Sequence, residues 1–228
     1  MTTLETQKAA PKLWRRVGEL ALLLCGVQAL RAAVEAGLWA VVRPGGDQRL
    51  WPAIGAATFV ITGALLLAWR RPPLRVLGLD WGGMSPRGRA ATLLGGAVLL
   101  VLAASTLIFA PEEWLNNLYS VLIVPVFEEL LFRGYGWQRI RATLTGRYGD
   151  LWTWALTTGL FGLWHLGYTD HMLRILPYQH NAGSLAFISM WKVIIGLAVG
   201  FLAGLARWRT GKSYGSIYVH GLWNLFGR

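Results

Sequence analysis

Seven long apolar runs constrain this chain more than any other feature of it. They lie at 17–42, 51–69, 90–110, 114–138, 151–168, 185–206 and 213–228. A helix needs about 20 apolar residues to cross the hydrocarbon core of a bilayer. In that medium every backbone N–H and C=O must be satisfied within the protein, which favours helices. The expected fold is therefore all-α, a polytopic transmembrane helix bundle of about seven to eight spans. The short connections leave no room for a separate soluble domain, so residues 1–228 are expected to form a single membrane domain. Charged residues make up 14% of the chain against about 25% in a soluble domain. The single cysteine, Cys25, excludes an intrachain disulfide and a thiolate metal cluster and reads as a small apolar helix residue.

A net charge of +11 would suggest nucleic acid as partner in a soluble protein. In an apolar chain it reads as topology instead. With residues 1–16 as an inner-side segment and an uncleaved first span after them, fifteen Lys and Arg residues fall in inner segments. Four (Arg43, Arg49, Arg174 and Arg228) fall outside. That asymmetry is what the positive-inside rule expects. It predicts a multi-pass protein of a cell membrane with a cytoplasmic N-terminus, and the Ala-, Gly- and Arg-rich composition with short loops looks prokaryotic. The bilayer is then the expected partner and nucleic acid is not. Trp51, Trp69, Trp114, Trp137, Trp152 and Trp208 stand at segment ends and read as interfacial markers. Gly196, Gly200 and Gly204 form a small-residue stripe for close helix packing. Residues 70–89, with Pro72, Pro73 and Pro86, read as a loop with a short interfacial turn at Leu74–Trp81.

Against this background the polar residues inside the spans stand out, because an ionisable group at mid-membrane costs about 2.5–3.5 kcal/mol or more. The fourth span holds Glu128, Glu129 and Arg133. Glu129 and Arg133 are four apart, share a helix face and can pair. Glu128 lies about 100° round from Glu129 and is left to face something else. The fifth span carries Phe161 and His165, and the seventh His220 and Asn224, each pair again four apart. Counting about 1.5 Å per residue from the inner ends, Glu128, His165, His220 and Asn224 lie roughly 10–21 Å deep, in one central layer. A glutamate can take a proton from water, histidine can position that water or protonate a leaving group, and asparagine can donate to an oxyanion. The alternative use of Glu128, His165 and His220 is to ligate a divalent metal such as zinc. No HExxH occurs in either histidine-bearing segment.

Several other polar residues read as structural. Glu112 and Glu113 follow Pro111 at a helix start, where the macrodipole accounts for acids. Arg31 and Glu35 read as a pair within the first span, and His171, His180 and Asp170 as solvated loop residues. Lys192 is expected to snorkel outward.

The sequences EELLFR (Glu128–Arg133), FGLWH (Phe161–His165) and HGLWN (His220–Asn224) resemble, in order, the EExxxR, FxxxH and HxxxN motifs of the CPBP family. That family comprises CAAX prenyl proteases of the second type and bacteriocin-processing, or Abi, intramembrane endopeptidases. The resemblance covers residues 114–228. It implies peptide-bond hydrolysis in a membrane-associated protein or peptide, with Glu128 as the base activating water. His165 and His220 are then the essential histidines, Asn224 part of the oxyanion hole, and Glu129, Arg133 and Phe161 supporting groups. It implies no cofactor, the metal-dependent variant being the alternative. Members often have eight spans. Two readings of other classes compete: a non-proteolytic membrane scaffold or immunity protein, and a small proton-coupled transporter, for which no inverted repeat is found.

Overall fold

The computed structural model describes residues 2–175 and 184–227, and every regular element among them is helical. The helices are α1 (Thr2–Val42), α2 (Trp51–Arg70), α3 (Leu74–Leu77), α4 (Pro86–Phe109) and α5 (Trp114–Arg141). They continue with α6 (Gly149–Trp164), α7 (Thr169–Ile175), α8 (Leu185–Thr210) and α9 (Ser213–Phe226). The result is a helical membrane bundle. Its outer faces show Leu93, Val101, Ile108, Phe109 and Phe187 exposed, surface that only hydrocarbon can cover at so little cost.

The spans differ in number from the sequence expectation. Among the described residues five helices are long and apolar enough to cross a bilayer: α1 from Lys12, α2, α4, α5 and α8. The expected spans at 151–168 and 213–228 appear as α6 and α9, of 16 and 14 residues. At 1.5 Å per residue these reach about 24 and 21 Å, short of a ~30 Å core. A 3-10 turn (His165–Tyr168) continues α6 into α7.

Local chemistry sets the boundaries. Ser85 caps α4 by accepting from the Gly88 N–H, followed at once by Pro86. Gly78 ends α3 in the left-handed region at φ 67°, where a Cβ would also meet Ser213. The 70–89 loop thus docks on the start of α9: Ser213 Oγ donates to the Leu77 carbonyl at 2.7 Å, and Lys212 pairs with Asp80 at 2.8 Å. That hydrogen bond from Lys212 holds the Asp80 carboxyl below its ordinary range.

α5 is not a uniform α-helix. It widens into π turns at Leu118–Ile123 and Leu130–Gly136 on either side of Val124–Glu129. Pro125 has no N–H for the Val121 carbonyl, and the Val124 N–H bonds Tyr119 instead, five residues back. The glutamates therefore sit on a short regular stretch between two wide turns, an arrangement frequent at functional sites.

The core joins Leu20, Leu24 and Val27 of α1 to Phe132 and Ile140 of α5, Phe161 and Trp164 of α6, and Val199 of α8. Contrary to its reading as an interfacial marker, Trp137 is buried, with the Arg207 guanidinium 5.8 Å from its ring centre. Trp69, Trp114, Trp152 and Trp208 are exposed as expected. The glycine stripe of α8 lies against α6 and α5. A Cβ at Gly196 would stand 2.6 Å from the His165 ring, at Gly200 3.1 Å from Arg133 Nη2, and at Gly204 2.4 Å from Trp154.

A second correction concerns the far end of α1. Arg31 and Glu35 pair at 2.5 Å, fully buried, but their partners extend beyond the helix. Arg31 also pairs with Asp170 and donates to the Gly167 carbonyl at 2.9 Å, and Glu35 meets His171 Nδ1 at 2.6 Å. Asp170 and His171 are thus tied into the bundle and are not free loop residues, while His180 lies outside the described residues. Lys192 is half-buried, within electrostatic reach of Glu128 and His165, and does not simply snorkel. Cys25 is exposed on α1, and Glu112 and Glu113 are exposed before α5.

Three substitutions have expected outcomes in thermal unfolding in detergent. Gly204→Ala is expected to cost about 1–3 kcal/mol through overpacking, whereas Gly159→Ala, with open space at its Cβ, gains up to about 1 kcal/mol. Arg31→Met leaves Glu35 and Asp170 without their shared cation and is expected to cost about 3–5 kcal/mol.

Candidate active site

Three helices deliver the polar residues to one buried point. The Val124–Glu129 stretch of α5 places Glu128 and Glu129 side by side, 1% and 0% exposed. Carboxylates so far from water persist only where other groups replace their hydration. The two are supplied differently.

Glu129 is held by one guanidinium and one imidazole. Arg133, one turn on and itself fully buried, donates from Nη1 to Glu129 Oε1 at 3.2 Å. The same oxygen meets His220 Nδ1 of α9 at 2.9 Å. Arg133 also donates from Nη2 to the Gly200 carbonyl at 2.7 Å and lies 4.3 Å from the Phe161 ring centre. Glycine at position 200 is what lets the guanidinium reach that carbonyl. The pairing of Glu129 with Arg133 expected from their spacing is present.

Glu129 Oε2 makes no hydrogen bond among the described residues. Glu128 is likewise held through one oxygen, but by neutral donors. Trp164 Nε1–H donates to Oε1 at 2.8 Å, and the Tyr168 hydroxyl donates to the same oxygen. Trp164 Nε1 lies 2.9 Å from that hydroxyl as well, so the three groups close a small ring. Oε2 is buried with no hydrogen-bond partner among the described residues. It faces His220 Nε2 at 3.8 Å, too long for a direct hydrogen bond.

The tautomers follow from these contacts. A carboxylate at His220 Nδ1 makes that nitrogen the donor, which leaves Nε2 as an acceptor. His165 Nδ1 lies 2.8 Å from the Phe161 carbonyl, which can only accept, so its proton is there too. The His165 ring packs on Phe161 and Tyr168, with centroids 4.9 and 5.6 Å away, in the space that Gly196 leaves open. Phe161, fully buried, also stands edge-on to His220 at 5.7 Å.

Of the residues expected at the site, Glu128, Glu129, Arg133, Phe161, His165 and His220 are thus brought together. Asn224 lies one turn beyond His220, and its Nδ2 donates to the Ser120 carbonyl at 2.7 Å. Trp164 and Tyr168 were not foreseen. Trp164 lies inside FGLWH, next to His165, and both stand on the face that follows from the 3-10 turn. That turn is itself clamped by α1, since Gln28 Nε2 donates to the Trp164 carbonyl at 2.9 Å and Arg31 lies 5.1 Å from the Tyr168 ring centre. As for the metal alternative, no three His, Cys, Asp or Glu side chains among the described residues are grouped to share an ion, Glu128, His165 and His220 included.

What the arrangement offers is two acceptors, Glu128 Oε2 and His220 Nε2, facing one another 3.8 Å apart on two buried side chains. A water at the apex between them donates both its protons and presents its lone pairs away from both.

Comparison with known proteins agrees on the family. Residues 97–226 match the family model described as Type II CAAX prenyl endopeptidase Rce1-like. Neither a curated protein nor a solved structure matches the chain. The family match takes in all three motifs and more than half of the chain, and the protein belongs to the type II CAAX prenyl endopeptidase family of membrane proteases.

Proposed function

We propose that the protein hydrolyses a peptide bond in a membrane-associated protein or peptide by a glutamate-activated water, without a metal. The observation that carries this reading is the asymmetry of Glu128: Oε1 is held by Trp164 and Tyr168, and Oε2 is unpartnered opposite His220 Nε2. In the proposed reaction the water oxygen bonds to the scissile carbonyl carbon while its proton passes to Glu128 Oε2. The carbonyl electron pair moves to oxygen, where Asn224 donates to the oxyanion through an amide N–H. The C–N bond then breaks as Glu128 returns its proton to the leaving nitrogen, giving a carboxylic acid and an amine. Glu129 and Arg133 act behind this, fixing the His220 ring through Nδ1. The reading places the protein in the plasma membrane of a prokaryote with its N-terminus in the cytoplasm, and makes the substrate a peptide of that membrane.

Two variants test the assignment in vesicles carrying a membrane-associated peptide. Glu128→Gln is nearly isosteric and is expected to lower turnover by about 10²–10⁴-fold with the thermal transition preserved. Turnover at the wild-type rate would remove Glu128 as the base. Full cellular function in that variant would favour the scaffold or immunity reading. Tyr168→Phe removes one hydrogen bond to the carboxylate and is expected to lower kcat about tenfold with little change in KM. Turnover unaffected by chelators, in protein shown free of metal, is the matching expectation for the chemistry.

A further inference from the structure

Away from the glutamates, two cavities adjoin on the flank formed by α1, α2 and α5. The larger, about 510 Å³, is an apolar groove walled by Val27, Phe59, Ala64, Leu66, Phe127 and Leu131 among others. The smaller, about 260 Å³, lies among Arg16, Arg70 and Arg139. Leu23, Arg70 and Tyr135 wall both, so the groove leads into the basic pocket. The guanidiniums there are under-matched. Arg139 donates to the Tyr135 hydroxyl at 3.1 and 2.8 Å, and Arg70 stacks on its neighbour Trp69 at 3.8 Å. Among the described residues neither pairs with a carboxylate, and Glu19, the pocket's acid, is shared by Arg15 and Arg16.

We propose that these two cavities bind one anionic phospholipid, its phosphate among Arg16, Arg70 and Arg139 and an acyl chain along the groove. Three observations fit that occupant. The pocket holds three cations against one shared acid, and guanidinium forks match phosphate oxygens in pairs. The groove runs along α2 from Arg70 back to Phe59, about 16 Å at 1.5 Å per residue, or half of a ~30 Å core, which is the reach of a chain from one leaflet. Its basic mouth lies at the end of the bundle where the arginines gather, with Trp69 and Tyr135 at the depth aromatic side chains favour. An acyl chain there braces the site from behind: Phe127 of the groove wall stands 6.5 Å from Trp164, whose indole holds Glu128. The inference stands apart from the proteolytic reading, since none of these arginines touches the glutamates.

The test uses the full chain in phosphatidylcholine nanodiscs with a small fraction of phosphatidylglycerol, and counts the lipid that stays bound by native mass spectrometry. Arg70→Gln with Arg139→Gln is expected to lower retained phosphatidylglycerol roughly twenty-five-fold, as two surface cations each contribute a factor of about five. Ala64→Phe keeps every charge, fills the groove and is expected to lower retention likewise, with Ala64→Leu serving if the larger residue prevents folding. Arg147→Gln with Arg209→Gln removes two cations outside both cavities and is expected to leave retention unchanged. An equal fall in that control would reduce the effect to net charge and overturn the site. So would unchanged retention in the groove-filled protein, or displacement by glycerol phosphate alone, which would make it a simple anion pocket.

Discussion

Two adjacent carboxylates buried in a bilayer are the constraint on which the rest of this structure depends. Glu128 and Glu129 are almost wholly hidden from solvent, and an uncompensated charge in such surroundings costs several kcal/mol. Most of the unusual features near the centre of the bundle answer that cost. Arg133 is buried to reach Glu129, and the Gly200 carbonyl is exposed to Arg133 by the absence of a side chain at that position. Arg207 donates in turn to the Arg133 carbonyl at 2.8 Å, so a second buried guanidinium from α8 steadies the first. The two π turns of α5 frame the short stretch that carries both acids.

The compensation is unequal, and the inequality is what makes chemistry available. Glu129 has the Arg133 guanidinium and the His220 imidazole on one oxygen, and that pairing with a buried cation commits it to structure although its other oxygen, like Glu128 Oε2, has no hydrogen-bond partner among the described residues. Glu128 has indole and phenol donors on one oxygen and none on the other. A carboxylate restrained at one end and open at the other has a fixed direction in which to accept a proton. The support for that restraint comes partly from α1, which lies outside the region matched by the family model. Gln28 and Arg31 hold the turn carrying Trp164 and Tyr168, and Arg31 is itself balanced by Glu35 and Asp170. The N-terminal helix is in this sense part of the site's frame and not only an anchor in the bilayer.

How much of this could be read from the sequence depended on distance along the chain. Glu129 with Arg133 and Phe161 with His165 were legible because residues four apart share a helix face. The convergence of their helices was suggested only by depth. Trp164 and Tyr168 reach Glu128 across 36 and 40 residues, a separation no periodicity reports. Asp170 and His171 read as loop residues from sequence for the same reason, since their partners on α1 lie 139 and 136 positions away. Trp137 misled because tryptophan at a helix end has the same pattern whether it faces headgroups or an inner arginine. The segments at 151–168 and 213–228 form shorter helices than their apolar runs suggest, because hydropathy does not register a 3-10 turn or the end of a 14-residue helix.

The central claim is that the reacting water lies between Glu128 Oε2 and His220 Nε2. An experimental structure with a hydrated ketone peptide analogue tests it most directly, because its gem-diol stands in for the tetrahedral intermediate. One diol oxygen is expected within about 2.6–3.2 Å of both Glu128 Oε2 and His220 Nε2, with the other near Asn224. A diol bound away from Glu128, with Oε2 still making no contact to it, would contradict the account.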